Sequence, residues 1–174
     1  MLTDLQMDQL DKVVKATVEL LGFSKKDLLP SIGSPKKVPF YKLYKKAKPG
    51  DHIAVYYYTT GYWHHGIYFG KENGKEYVID NHPDFNVSKR PLEDFLKLAT
   101  DGVVISYDEA FPREVSLGIA QAACSTTSIV YDPLSCNCEI FALFCRTGRY
   151  ERTNMCQPTP FKHKSLAGKL QSKS

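Results

Sequence analysis

The motif "NCEIFALFC", residues 137 to 145, places a cysteine where a reactive thiol is expected. Either Asn137 or Ser135 can cap a helix that begins near Cys138, and the apolar residues that follow recur at helical spacing. A cysteine in the first turn of a helix lies beside free backbone N–H groups and the positive end of the helix dipole, which stabilise a thiolate. The motif therefore predicts Cys138 as a nucleophile.

A second motif, "GYWHHGIYFG" at residues 61 to 70, sets two adjacent histidines in an aromatic run typical of a half-buried strand. Strand side chains alternate between the two faces of a sheet, so only one of these histidines can face the thiol. His64 shares its face with Gly66, where a missing side chain leaves room for a helix end that carries the thiol. His65 shares the opposite face with Trp63, where a packed histidine is expected. We therefore predict His64 as the general base.

The remaining cysteines predict neither a disulfide framework nor a metal centre. Five cysteines are an odd number in a chain of 174 residues, which favours reduced thiols. We expect Cys124 and Cys145 to be buried packing residues. A zinc site would need the "CNC" pair to be completed by Cys145, Cys156 or His163, at no standard spacing. The chain also lacks a glycine-rich phosphate loop and a G-x-S-x-G elbow, so we predict thiol chemistry without a metal or cofactor.

The order of several motifs resembles the lecithin:retinol acyltransferase-like (LRAT-like) family, a permuted branch of the NlpC-type cysteine hydrolase and acyltransferase superfamily. The motifs are "PGDHI", "HHGIYFG", "YVIDNHP", "PLEDFL" and "NCEIFALFCRTG", spread over residues 48 to 150. The resemblance implies that Cys138 is the nucleophile and His64 the base. It also implies a thiol-dependent acyltransferase or acyl hydrolase of phospholipase type. Such an enzyme acts on lipid esters, above all glycerophospholipids, through an acyl-cysteine intermediate.

The resemblance further implies a residue that orients His64. Family members often carry a histidine on the third strand in a "YVVH"-like run, and "YVID" places Asp80 at that position. A carboxylate that accepts the imidazole N–H fixes the tautomer and stabilises the imidazolium. His82 is the rival, because alternation puts it on the same face of the strand as Asp80. The oxyanion is assigned to N–H groups at the helix start, at Asn137 and Cys138.

Aromatic residues beside the histidines are candidates for substrate contacts. Tyr62, Trp63 and Tyr68 can form an apolar wall for an acyl chain, although aromatic residues in strands more often pack in a core. One alternative function is an amidase or peptidase of the NlpC type, which would favour soluble peptides. Another is a catalytically inactive interaction module, of the kind found in viral relatives, that keeps the histidine and Asn-Cys motifs for its fold.

The rest of the sequence predicts the elements that must position these residues. Three consecutive antiparallel strands are expected from "IAVYYY", from the histidine run and from "KEYVIDNH", the last two joined at "NG". A short helix in "RPLEDFLKLA", a strand in "GVVISY" and a helix in "FPREVSLGIAQAAC" follow, and Gly148 ends the Cys138 helix. We predict an α+β fold with a papain-like, NlpC-type core, in which an antiparallel sheet packs against the helix that carries Cys138.

Length and composition favour a single domain over residues 1–174. We predict an amphipathic N-terminal helix over residues 1–24, a basic connector over 25–47, the catalytic core over 48–150 and a flexible basic tail over 151–174. The N-terminus lacks the layout of a secretion signal, and no segment reaches the roughly 20 apolar residues of a membrane-spanning helix. We expect a cytoplasmic protein that is at most peripheral at membranes.

The positive charge of the chain is concentrated in the connector. The net charge is +4, but residues 25 to 48 hold eight lysines and one aspartate, a local charge of +7. Such a stretch can dock on anionic lipid headgroups, and a solvated linker is the alternative. The lysines proposed for docking are Lys36, Lys37, Lys42, Lys45, Lys46 and Lys48. A phospholipid or other acyl ester is the expected substrate, and nucleic acid is an unlikely partner.

Overall fold

The structure is a computed structural model that describes residues 47–57, 59–126 and 129–149, the backbone of 36–39 and the isolated positions 12, 16, 17 and 20. The predicted tail lies outside the described residues, as does nearly all of the predicted N-terminal helix and connector. The isolated N-terminal positions are helical. Within the described residues, no helix is long and apolar enough to cross a membrane.

One antiparallel sheet organises the described part of the chain. Its strands are β1 (Lys36–Pro39), β2 (His52–Tyr57), β3 (Tyr62–Glu72), β4 (Lys75–His82), β5 (Asn86–Pro91) and β6 (Ala99–Ser106). They lie in the order β1-β6-β2-β3-β4-β5. The three consecutive strands and the "GVVISY" strand are confirmed. Neither β1, inside the predicted connector, nor β5 was predicted, because both segments are rich in lysine and proline and lack an alternating apolar pattern.

The β3–β4 hairpin is built on the predicted turn. Asn73 and Gly74 both have positive φ, 50° and 81°. Two such residues form the tight turn whose twist matches that of the flanking strands, and asparagine and glycine adopt this conformation most readily.

Helices cover both faces of the sheet. They are α1 (Leu92–Leu96), α2 (Arg113–Cys124) and α3 (Cys138–Thr147). On one face, Ile67, Ile79 and Val87 of the sheet share a buried cluster with apolar residues of α2 and α3. On the other face, Leu92 and Phe95 of α1 join a second buried cluster. This arrangement is the predicted α+β core with the sheet packed against the Cys138 helix.

The boundaries of α3 follow from its sequence. The Asn137 side chain accepts hydrogen bonds from the N–H groups of Glu139 and Ile140, at 3.1 and 3.0 Å. Gly148 ends the helix in the left-handed conformation, with φ 69°. Asn137 is therefore the cap, rather than Ser135, and both predicted ends of the helix are confirmed.

The two cysteines that were predicted to pack in the core, Cys124 and Cys145, differ from each other. Cys145 is fully buried in the cluster between the helices and the sheet, as predicted. Cys124 is exposed, so its predicted burial was wrong. It is the last residue of α2, where the helix ends.

Candidate active site

His64 and Asp80 form a buried pair at one end of the sheet. Nε2 of His64 lies 2.6 Å from Oδ2 of Asp80, and the exposed fractions of the two residues are 1% and 0%. The β3–β4 ladder runs from Ile67 and Ile79 to the turn, so both residues lie just beyond its last pair. The strands are thus close enough there for the side chains to bond directly.

Gly66 makes this approach of the two strands possible. A Cβ atom at Gly66 would lie 2.6 Å from Cγ2 of Val78 and 3.3 Å from Cβ of Asp80. The space at Gly66 was predicted to admit the helix that carries the thiol. That interpretation was wrong, because the atoms nearest to the missing side chain belong to β4.

Arg90 on β5 clamps the Asp80 carboxylate. Its Nε donates to Oδ1 of Asp80 at 3.0 Å, and its terminal amino group donates to Oδ2. Burial alone would raise the pKa of Asp80, but the hydrogen bonds from His64 and Arg90 outweigh it and hold that pKa below its ordinary value. Asp80 is therefore a carboxylate, with Oδ2 shared between the imidazole and the guanidinium.

His64 is placed to hold a proton. Burial by itself lowers the pKa of His64, but hydrogen bonds with Asp80 and Cys138, together with their charges, raise it to about 9. Because Nε2 bonds to Asp80, Nδ1 is the ring nitrogen left for the Cys138 thiol. The carboxylate thereby decides which nitrogen faces the sulfur.

Aromatic rings enclose His64. Tyr57 stacks on it with ring centroids 5.7 Å apart, and the Phe95 ring lies 5.1 Å away. The Tyr57 hydroxyl donates to the backbone oxygen of Phe95 at 2.8 Å, which fixes the two rings relative to each other. A ring held on both sides has few alternative orientations, so this enclosure keeps His64 aimed at its partners.

His82, the rival of Asp80, contacts His64 in a different way. Its ring meets the His64 ring edge-on with centroids 5.5 Å apart, and its Nδ1 accepts a hydrogen bond from the Asp84 N–H at 3.1 Å. Burial and the charge of Arg90 lower the pKa of His82. The carboxylate of Asp80, rather than His82, is the group that hydrogen-bonds the His64 ring.

Cys138 is the first residue of α3 and is 6% exposed. The Asn137 side chain caps Glu139 and Ile140, and its own amide group donates to the oxygen of Pro133 at 3.1 Å. In the described part of the chain no group accepts a hydrogen bond from the Cys138 N–H. The N–H of Cys138 is thus left available in the first turn.

The loop before Cys138 is tied down at several points. Asp132 and Cys136 form a β-bridge, and Oδ1 of Asp132 accepts from both the N–H and the hydroxyl of Ser135, each at 2.6 Å. Asn81 of β4 donates to the oxygen of Cys136 at 2.6 Å. Since Asn81 follows Asp80 directly, one strand fixes both the carboxylate and the approach to the nucleophile.

His65 belongs to a separate buried network on the opposite face of β3. Its Nδ1 lies 2.9 Å from Nε2 of His52, whose Nδ1 lies 2.6 Å from the Tyr107 hydroxyl. His52 and His65 are 1% and 3% exposed. This network contains none of the ionised groups that contact His64.

The three aromatic candidates for a substrate wall lie in different places. Tyr62 is partly exposed, and burial and the charge of Cys138 raise its pKa, so it lies near the thiol. Trp63 is on the His65 face, with its ring 5.5 Å from Tyr56. Tyr68 is buried and its hydroxyl donates to Glu76 at 2.6 Å. Only Tyr62 of the three is brought to the site.

The described lysines of the connector are not at this site. Lys48 is exposed, close to Gly50, whose backbone oxygen accepts a hydrogen bond from Arg146 at 3.3 Å. Arg146 is eight residues along α3 from Cys138, about 12 Å at the usual helical rise. Lys36 and Lys37 are described as backbone in β1, whereas Lys42, Lys45 and Lys46 lie outside the described residues.

Arg90 and Phe95 are contacts of this site that the sequence analysis did not identify. Arg90 lies in "NVSKRP", a polar strand with a single fully buried residue, Val87. Phe95 lies in a predicted helix, but no pattern in that helix indicates which ring it faces. The register of β5 against β4, with Arg90 opposite Val78 and Ser88 opposite Asp80, brings Arg90 within reach of the carboxylate.

Comparison with known proteins gives one match. A family model described as lecithin retinol acyltransferase matches residues 45–151, more than half of the chain. No curated protein matches the chain significantly, and no solved structure does so. The matched range contains Arg90, Asp80, His64 and Cys138 together with strands β2 to β6 and the three described helices.

Proposed function

The chain belongs to the lecithin retinol acyltransferase family, and on that premise we propose that it is a thiol acyltransferase or acyl hydrolase for glycerophospholipid esters. The observation that carries this proposal is the series of hydrogen bonds from Arg90 through Asp80 to His64, with Cys138 near enough to His64 to raise the pKa of the imidazole. A thiol at a helix start, next to a histidine whose tautomer is fixed by a carboxylate, is the arrangement needed for nucleophilic acyl transfer.

In the proposed reaction, Nδ1 of His64 accepts the proton of the Cys138 thiol. The sulfur attacks the ester carbonyl carbon, and the C–O bond to the alcohol then breaks while His64 returns its proton to the leaving oxygen. The product is an acyl-thioester on Cys138. Water, or an amine or alcohol acceptor, gives up a proton to His64 and takes the acyl group, which restores the thiol.

The N–H of Cys138 is our candidate for the oxyanion donor. The Asn137 side chain occupies the N–H groups of Glu139 and Ile140, so the first turn has this N–H to offer to a negative oxygen. Asn137 was assigned to the oxyanion site as well. Its side chain serves as the helix cap and holds the turn in which Cys138 lies, and its own backbone N–H stays a second candidate donor.

Arg90 acts in this proposal as a positioning residue. Its guanidinium binds both oxygens of Asp80, which keeps the carboxylate ionised and orients Oδ2 toward His64. A carboxylate buried to 0% exposure without a cation would favour its neutral form, because burial disfavours charge. Arg90 thus affects the thiol through Asp80 and His64, without contacting the substrate.

Intact mass spectrometry of the full chain after incubation with phosphatidylcholine vesicles tests this function. We expect a species heavier by one fatty acyl group that is removed by hydroxylamine, and no such species for Cys138→Ser. Cleavage of peptide amides without a lipid adduct would select the amidase or peptidase alternative. Lipid binding without an adduct or turnover on either substrate would select an inactive interaction module.

A further inference from the structure

Exposed apolar side chains gather at one end of the sheet. Among the described residues from 47 to 149, the large apolar side chains left exposed are Tyr62, Phe85, Leu98, Val130 and Leu134. We call this set the apolar rim. The exposed fractions run from 39% for Tyr62 to 69% for Leu134, and the five residues come from four separate segments of the chain. Single exposed apolar residues are ordinary, whereas a group that shares one end of the molecule marks an interaction surface.

Two members of the apolar rim lie beside the aromatic enclosure of His64. Tyr62 is paired with Tyr57 across β2 and β3, with ring centroids 5.8 Å apart, and Tyr57 stacks on His64. Leu98 directly precedes Ala99, whose backbone is paired with that of Tyr57 in the sheet. Both side chains therefore lie at the end of β2 that reaches the active site.

Phe85 lies above the His82 side of the site. Its ring stacks on His82 with centroids 5.2 Å apart, and His82 in turn meets His64 edge-on. The guanidinium of Arg90 lies 5.9 Å from the centre of the same ring. Phe85 thus covers two groups that contact the His64–Asp80 pair, while 59% of its own surface stays exposed.

The last two members lie on the segment that leads to the nucleophile. Val130 precedes Tyr131, whose N–H donates to the Asn86 side chain at 2.9 Å, one residue beyond Phe85. Leu134 lies four residues before Cys138, and its N–H donates to Oδ1 of Asp132 at 3.0 Å. This turn is closed by Asp132, so Leu134 is held outward by a fixed backbone.

The opposite end of the sheet has a different surface. There the chain carries the exposed residues Lys48, Lys71 and Lys75 and the ion pair between Arg113 and Asp51, at 2.5 Å. Within the described residues 47–149, no exposed large apolar side chain lies at that end. The two ends of the described core therefore differ in that exposed large apolar side chains lie only at the active-site end.

We propose that the apolar rim docks the active-site end of the protein on a phospholipid surface with zwitterionic headgroups. This inference rests on the proposed function, since an acyl ester held in a bilayer must reach Cys138. The headgroup preference follows from charge: Asp84 and Asp132, the exposed neighbours of Phe85 and Leu134, outnumber Lys97, the exposed neighbour of Leu98, so this end would repel anionic lipids and can face the ammonium of phosphatidylcholine. Docking at this end lets an acyl chain pass from the bilayer to the thiol without crossing water.

Vesicle partitioning of the full chain tests the proposal, measured in the Cys138→Ser background so that turnover does not alter the lipid. Phe85→Ser with Leu134→Ser should weaken partitioning onto phosphatidylcholine vesicles about 100-fold, since each side chain contributes about tenfold on leaving water. The matched control is Lys71→Ser with Lys75→Ser at the opposite end, which should change partitioning less than about twofold. Melting temperatures of both variants establish that they are folded.

Three results would overturn the proposal. Partitioning that is unaffected by the apolar rim variant would show that these side chains do not meet the lipid. A lower melting temperature with unchanged partitioning would show that they pack against another segment of this chain. Binding that requires anionic lipid and is lost in salt, equally in both variants, would assign docking to the connector lysines. Rim-dependent partitioning without an acyl-enzyme in the wild type would contradict the proposed function and leave this inference standing.

Discussion

The two neighbouring histidines of β3 lie on opposite faces of the sheet and have different partners. His64 hydrogen-bonds a carboxylate and contacts two aromatic rings, Cys138 helps to raise its pKa, and the carboxylate is itself bound by a guanidinium. His65 contacts His52, which contacts a tyrosine hydroxyl. A buried charge needs a counter-charge, so the His64 face is suited to hold a proton. On the His65 face, protonation of both imidazoles would place two positive charges in direct contact. Residue type alone therefore does not distinguish the two histidines, whereas their partners across the sheet do.

The largest effect on activity is expected when His64, the proposed base, is removed. His64→Ala should lower turnover about 10⁴-fold, the upper range for loss of a general base, because Cys138 then has no group to take its proton. Steady-state hydrolysis of a short-chain ester measures this. Turnover within tenfold of the wild type would contradict the assignment of His64.

A smaller loss is expected for Asp80→Asn, about 10²-fold or more in turnover, because the amide can present the wrong tautomer to His64. This variant also has a signature in stability. The pKa of His64 is raised from 6.5 to about 9 in the folded state. The stabilisation of the fold that comes from holding the His64 proton is therefore fully present below pH 6.5 and is lost as the pH rises through 9. The free energy of unfolding measured in urea should be higher for the wild type than for Asp80→Asn, and this difference should narrow from pH 6.5 to pH 9. A difference in the free energy of unfolding that stays constant across this pH range would contradict the link between the His64 pKa and stability.

The guanidinium clamp should have a more moderate effect. Arg90→Met should lower turnover about tenfold, because an unclamped Asp80 holds its Oδ2 toward His64 less firmly. Arg90→Lys should recover part of the loss, since an ammonium keeps the charge but cannot bind both oxygens. In the Asp80→Asn background, Arg90→Met should add little. An additive loss in the double variant would show that Arg90 acts by another route.

The smallest effect on activity is expected for a change on the His65 face of β3. His65→Ala should leave turnover within about threefold of the wild type and lower the free energy of unfolding by about 1 to 3 kcal/mol, because it leaves a buried His52 nitrogen without its partner. Parallel assays of turnover and urea unfolding separate the two outcomes. A large loss of turnover with unchanged stability would mean that both faces of β3 take part in the reaction.

Local patterns were sufficient to predict several parts of this site. Alternation along β3 separated His64 from His65, and a capping residue with helical periodicity predicted that α3 would begin at Cys138. Both are properties of short segments. Asp80 was predicted by aligning "YVID" with the "YVVH"-like run of the family. In the structure its carboxylate hydrogen-bonds the His64 ring.

The parts that were missed depend on contacts between distant segments. Arg90 reaches Asp80 only through the register of β5 against β4, and β5 shows no apolar alternation by which a strand is recognised. The space at Gly66 was assigned to the wrong neighbour for the same reason, since a glycine indicates close approach without indicating by which segment. The apolar rim likewise exists only after four segments have folded to one end of the sheet.

The most direct test of the central claim is to map the acyl group after incubation with phosphatidylcholine, by peptide mass spectrometry of three proteins. The wild type and His65→Ala should both carry a hydroxylamine-sensitive acyl group on Cys138, and His64→Ala should carry none. The same comparison reports on both faces of β3 in one experiment. An acyl group on Cys138 in His64→Ala, or its absence in a folded His65→Ala, would contradict the account.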